Sequence, residues 1–236
     1  RLLGKFEKES ARHICAFSVY GALLLSLVYS AGVFMFMEPL LRIMGASNDT
    51  LPYAQQYAVW AIIVGGVPTV LSITAAHILR SVGYARQASL GIGLGGILNI
   101  ILDPVFMFDW GLAMGVEGAS LATTVSQFVT FFILGWFYLS GRSIIKIKRE
   151  YFKPRWSFIK SVTLIGIPTA VIQICLAAAT SLTNIAAKSM TDADLIIAAY
   201  GVVQRLVLIG CYVVMGFMQG YQPVASYSFG ANKEER

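Results

Sequence analysis

Residues 87–108 read QASLGIGLGGILNIILDPVFMF, a run of 22 residues with one ionisable side chain, Asp103. Its apolar residues run on without alternating, so an amphipathic strand of a closed barrel is excluded. A stretch of this length matches the roughly 20 residues that carry a helix across a bilayer. In lipid a backbone must satisfy its own hydrogen bonds, which leaves a transmembrane helix. The same signature recurs at 13–37, 54–77, 118–140, 161–185 and 195–220. Six spans are therefore expected, in an all-α polytopic membrane protein.

The composition of the 236 residues agrees: 57% are hydrophobic, 13% are charged, and mean hydropathy is +0.70. A soluble domain carries about 25% charged residues. The numbers exclude a soluble enzyme, a disordered chain and a secreted disulfide scaffold. Cys15, Cys175 and Cys211 lie in or beside spans without metal-ligand spacing and read as packing residues, while His13 and His77 read as interfacial. The chain opens with Arg1 rather than Met and is expected to be a piece of a longer protein.

Net charge is +6, which in a membrane protein reflects the positive-inside bias rather than nucleic-acid binding. Fifteen Lys and Arg fall on one side of the spans, against Arg42 and Lys188 on the other and Arg205 within a span. Both ends are therefore expected in the cytoplasm, with the protein in the plasma (inner) membrane. Seven of those cations crowd 141–160, between Arg142 and Lys160. This loop divides residues 1–140, with four spans, from residues 161–236, with two. Across the outer segment, Glu38 to Gly45 reads as a short interfacial helix ended by glycine.

Few residues carry chemistry. Gly91-Ile92-Gly93-Leu94-Gly95-Gly96 has the dinucleotide-binding spacing but lies inside a span, where small residues serve close helix packing. Pro68, Pro104 and Pro168 fall within spans, where each removes a backbone donor and kinks the helix; they are candidate structural or gating positions. Arg205 is expected to face the bundle interior or an aqueous cavity, with a carboxylate or helix-end carbonyls as partner. Gln127, Gln173, Asn184, Gln204 and Gln219 supply polar atoms for bonds between helices, Gln173 and Asn184 being the ones in span five. The sharpest pair is Asn99 and Asp103, four residues apart on one helix face. A carboxylate at membrane depth is expensive unless protonated, paired or bound to a cation. Carboxylate and amide oxygens are hard ligands suited to Na⁺, so Asn99 and Asp103 are candidate metal ligands for that ion. The alternative is that Asp103 only caps a helix end. No catalytic constellation is present, so an enzyme is not expected, and no filter-like run suggests a channel.

Asn99 with Asp103-Pro104-Val105-Phe106-Met107-Phe108, then Gly111, Gly115 and Gly118-Ala119-Ser120-Leu121-Ala122-Thr123, resembles the multidrug and toxic-compound extrusion family. So do Leu79-Arg80-Ser81-Val82-Gly83, Gly166-Ile167-Pro168 and the stretch from Gly216 to Pro223. The ending Tyr227-Ser228-Phe229-Gly230-Ala231-Asn232-Lys233 is similar to the family as well. The resemblance implies helices three to eight of a twelve-helix, two-lobe exporter of the bacterial branch. It implies a Na⁺- or H⁺-coupled antiporter of amphipathic, often cationic compounds, working by alternating access as a monomer and without a cofactor. It also assigns Asn99, Asp103 and Thr123, with Thr124 as a second candidate threonine, to a cation site. That site would be completed by an acidic residue on a helix this chain lacks. Span five carries no carboxylate, which argues against coupling through the second lobe. A lipid-linked-precursor flippase of the same superfamily, and a non-transporting membrane scaffold, are the alternatives.

Overall fold

A computed structural model describes residues 8–140, 149–152, 156–187 and 193–231. The described chain is helical. The elements are α1 (Lys8–Met35), α2 (Met37–Ile43), α3 (Leu51–Ala58), α4 (Gly66–Ser81), α5 (Ala85–Met107), α6 (Gly115–Leu139), α7 (Trp156–Ala187) and α8 (Ala193–Gly230). Five helices are long and apolar enough to cross a membrane. A sixth crossing forms if Leu51–Val64 and Gly66–Ser81, bent by 49°, count as one span.

That bend corrects an expectation. The sequence points to Pro68 as the break in span two, yet the helix departs at Gly65, after a wide π-helical stretch over Val59–Val64. Pro68 is the third residue of α4, in a first turn whose N–H groups have no intrahelical partner in any case, so its missing donor costs little there. Through Pro104 and Pro168 the helices α5 and α7 continue. Other boundaries shift outward: α7 begins at Trp156 rather than at 161, and α8 runs on to Gly230, past the expected end of its span at 220. Nothing after Gly220 except Pro223 opposes helix, and a helix is free to continue beyond the lipid.

Two helix ends are closed in the same way. After α2, Gly45 has φ +108°, its N–H bonds the Arg42 carbonyl, and the Ala46 N–H reaches back to Leu41 at 3.0 Å. After α4, Gly83 has φ +92°, its N–H bonds the Arg80 carbonyl, and the Tyr84 N–H reaches Leu79 at 2.9 Å. Both are the paired-bond helix stop that a left-handed glycine permits. The expected interfacial helix thus forms, braced by the Arg42–Glu38 ion pair at 2.9 Å.

α4, α5 and α6 meet around Ala76, Leu79, Ala88 and Leu134, flanked by Tyr84, Phe137 and Tyr138. Here glycine matters for closeness. A Cβ on Gly91 would lie 2.5 Å from Leu134 Cδ2, and one on Gly95 would lie 1.8 Å from Thr130 Oγ1, whereas Gly93 and Gly96 face open space. The glycine run is a helix-contact stripe. Tyr138 donates to the Ala75 carbonyl at 3.1 Å. Below α1, the helical turn Arg149–Tyr151 packs on His13, and Phe152 packs on Phe17 and Tyr20. His13 Nδ1 lies 2.7 Å from the Tyr151 carbonyl. The remaining basic residues of the 141–160 loop before Trp156, together with Lys188, Lys5 and Lys233, lie outside the described residues.

α7 and α8 contrast with this: no residue in their most apolar stretch is buried. Cys175 and Cys211, expected to be packed, are exposed there, while Cys15 is half-buried. Arg205 is exposed too, and no salt bridge among the described residues includes it.

Candidate functional site

α5 and α6 are antiparallel and joined by the loop 108–114. Pro104 leaves α5 one further turn, and the loop folds back to take up its terminal carbonyls. Leu112 N–H bonds Val105 O at 2.9 Å, and Met114 N–H bonds Phe106 O at 2.9 Å. The turn is tight: a Cβ on Gly111 would lie 1.9 Å from the Val105 carbonyl oxygen, and one on Gly118 would lie 2.5 Å from that of Phe106. The register of α5 against α6 is thus fixed at the turn and again at Gly91 and Gly95.

Between those two constraints, at spacings of four, stand Asn99 and Asp103. Asn99 Nδ2 donates to Asp103 Oδ1 at 2.9 Å and to Thr123 Oγ1 at 3.3 Å. Thr123 in turn donates its hydroxyl hydrogen to the Ala119 carbonyl at 3.0 Å. One amide hydrogen is therefore directed at each of two oxygens, both hard. All three side chains are half-buried. The Asn99 amide rotates about its terminal torsion, which would turn its own oxygen toward the same place. Three oxygen types could then face one small cation; among the described residues no group of three or more His, Cys, Asp or Glu side chains offers another metal site.

The structure thus brings together the three residues singled out for the cation site. The remaining sequence candidates lie elsewhere. Pro68 is buried at the start of α4. Pro168, Gln173 and Arg205 are exposed on α7 and α8. Asn184 donates to the Met44 carbonyl at 3.4 Å, a bond between regions. Gln204 bonds Tyr200 one turn away on its own helix rather than a neighbour.

Sequence reasoning missed a second polar group beside this one. Trp60 Nε1 donates to Glu117 Oε1 at 2.9 Å, and Thr124 Oγ1 lies 2.8 Å from the Trp60 carbonyl and 2.9 Å from that of Ser120. Glu117 precedes the apolar run of span four and so reads as a loop charge. Its place in the first turn of α6, where the helix dipole favours an anion, was the available signal.

Known proteins are similar to this chain in sequence and fold. The MatE family model matches residues 1–105. The multidrug export protein MepA of Staphylococcus aureus (strain NCTC 8325 / PS 47) is 27% identical over 235 residues, covering 99% of this chain and 51% of MepA. The chain spans about half the length of the curated relatives it matches. Among solved structures, the outward-facing conformation of a multidrug resistance MATE family transporter of the MOP superfamily superposes with a TM-score of 0.84. It is 26% identical, over 99% of this chain and 51% of that one. A MOP superfamily transporter from Pyrococcus furiosus Vc1, whose binding pocket of reverse polarity suggests a different function, also gives 0.84. There the identity is 27%, again over 99% and 51%.

Proposed function

We propose that the chain, which is similar to MATE family membrane transporters, is part of such a transporter and serves cation-coupled export of amphipathic, often cationic compounds. The observation that carries this reading is the Asn99–Asp103–Thr123 contact between α5 and α6. On this reading residues 1–140 belong to one lobe of a two-lobe exporter, 141–160 is the cytoplasmic link, and 161–236 opens the second lobe. Both ends face the cytoplasm, as the distribution of Lys and Arg favours.

The mechanism follows from electrostatics. A carboxylate in a medium poor in water is stabilised by Na⁺ or by a proton far more than in bulk solvent. Binding of either at Asp103 removes its charge and frees Asn99 from holding it. The lobe then has two states that differ in affinity for the ion, and only such a difference lets the ion drive a conformational change.

The test uses the product of the complete reading frame in a pump-deficient bacterium. Ethidium efflux is followed with and without Na⁺, and after collapse of the proton gradient, for wild type and Asp103→Asn. Efflux that follows one ion gradient and disappears in the variant is expected. Unchanged efflux in Asp103→Asn would reduce Asp103 to a helix cap. A second reading, a MOP-superfamily transporter of another substrate class such as a lipid-linked precursor, draws on the likeness to the Pyrococcus protein. It gains if a correctly inserted protein moves no ethidium.

A further inference from the structure

The bend at Gly65 is held from two sides by side chains that reach its backbone. A π-helical stretch widens the turn and releases carbonyls from the regular ladder. Here the Trp60 carbonyl accepts from Gly65 N–H at 2.8 Å and from the Thr124 hydroxyl, and the Ile62 carbonyl accepts from Ser30 Oγ of α1 at 3.2 Å. The glycines at the break have no room to spare. A Cβ on Gly65 would lie 3.1 Å from Thr124 Oγ1, and one on Gly66 would lie 3.0 Å from Ser30 Oγ. α6 grips one residue twice: Thr124 takes the carbonyl of Trp60, and Glu117, two turns away on the same face, takes its indole N–H.

Thr124 follows Thr123 directly, so the two side chains project about 100° apart around α6. One meets Asn99 of the α5 pair and the other meets the bent span. A shift or rotation of α6 that follows a change at Asp103 therefore strains or relaxes the hold on Trp60. We propose that Thr124 and Glu117 are positioning residues that tie the charge state of the Asn99–Asp103–Thr123 site to the bend at Gly65, making this span the element the coupling ion moves. This rests on the export reading given above. Hydrogen bonds between membrane helices are individually modest, so losing one is expected to leave the fold in place and to alter the balance between states.

The experiment uses the complete reading-frame product in vesicles, with ethidium transport measured against the concentration of whichever ion drives it. Thr124→Val, which keeps shape and loses the hydroxyl, is expected to shift the ion concentration for half-maximal transport roughly threefold to fivefold. The ethidium concentration for half-maximal transport should stay within about twofold. Trp60→Phe, which loses the N–H and keeps a ring, should act in the same direction. Thr124→Ser and Glu117→Gln retain a donor and an acceptor and should restore the ion dependence. Thr183→Val on α7 should leave it unchanged. Wild-type ion dependence in both Thr124→Val and Trp60→Phe, with ion dependence lost in Asp103→Asn, overturns the inference and leaves the export reading standing. Ion dependence retained in Asp103→Asn overturns both. Glu117→Gln behaving like Trp60→Phe assigns the effect to charge rather than to the hold on Trp60, and also overturns it.

Discussion

α6 and α7 are both apolar helices of membrane-crossing length, yet a third of the apolar stretch of α6 is buried and none of that of α7 is. The more apolar of the two is the one left bare within these 236 residues, which on the proposed reading hold only the first two helices of its lobe. In water that order would be reversed. In lipid, apolar side chains gain little by meeting each other, and helices associate through close contact of small residues and through hydrogen bonds. α6 supplies both: Ser120, Ala122, Thr124, Ser126 and Thr130 are small and buried, while Thr123, Thr124 and Tyr138 bond Asn99, the Trp60 carbonyl and the Ala75 carbonyl of neighbouring elements. Thr180 and Thr183 of α7 turn back to their own helix, to Leu176 and Ala179, as Ser120 and Thr130 of α6 also do.

The contrast can be broken most forcefully at glycine. Gly95→Leu should push α5 from α6 at Thr130 and destabilise the protein by about 3 kcal/mol or more. Gly93→Leu on the open side of α5, with nothing within 4 Å of its Cβ position, should stay within about 0.5 kcal/mol. Thermal unfolding of the detergent-solubilised protein separates the two, and equal losses would defeat the comparison. A smaller effect is expected from Gly83→Ala, roughly 1 kcal/mol, because the added Cβ opposes the left-handed turn that stops α4. Tyr138→Phe removes a bond between α6 and α4 and should lower stability by about 0.5–1.5 kcal/mol in the same assay. Thr183→Val is the gentlest probe: its bond is local and exposed, and no loss beyond about 0.5 kcal/mol is expected. A larger loss there would mean that α7 is held by more than its own backbone.

These same differences decide what could be read from the sequence. The spans were legible because hydropathy answers to lipid alone. So was the pairing of Asn99 with Asp103, since both lie on one helix and the period of the helix sets their distance. Thr123 was reached only through family likeness; the residue spacing within α5 says nothing about which turn of α6 lies opposite. That register is fixed by Gly91, Gly95, Gly111 and Gly118, of which Gly111 and Gly118 act through clashes with backbone oxygens that no pattern of side chains reports. The bend was misplaced for a related reason. Val59-Trp60-Ala61-Ile62-Ile63-Val64 is uniformly apolar, and what permits its wide turn is a hydroxyl on α1 and another on α6, more than thirty and sixty residues away respectively.

The length of α8 has a geometric consequence. Thirty-eight residues make a rod of about 57 Å, set against roughly 30 Å of hydrocarbon. Even leaning by about 40°, the steep limit for such helices, it would climb some 44 Å along the membrane normal. A dozen or so residues must therefore stand among headgroups and water. The stretch suited to that zone is the one beyond Gly220, where Tyr221, Gln222, Ser226, Tyr227 and Ser228 mix aromatic rings with hydrogen-bonding groups, as residues at a membrane surface do.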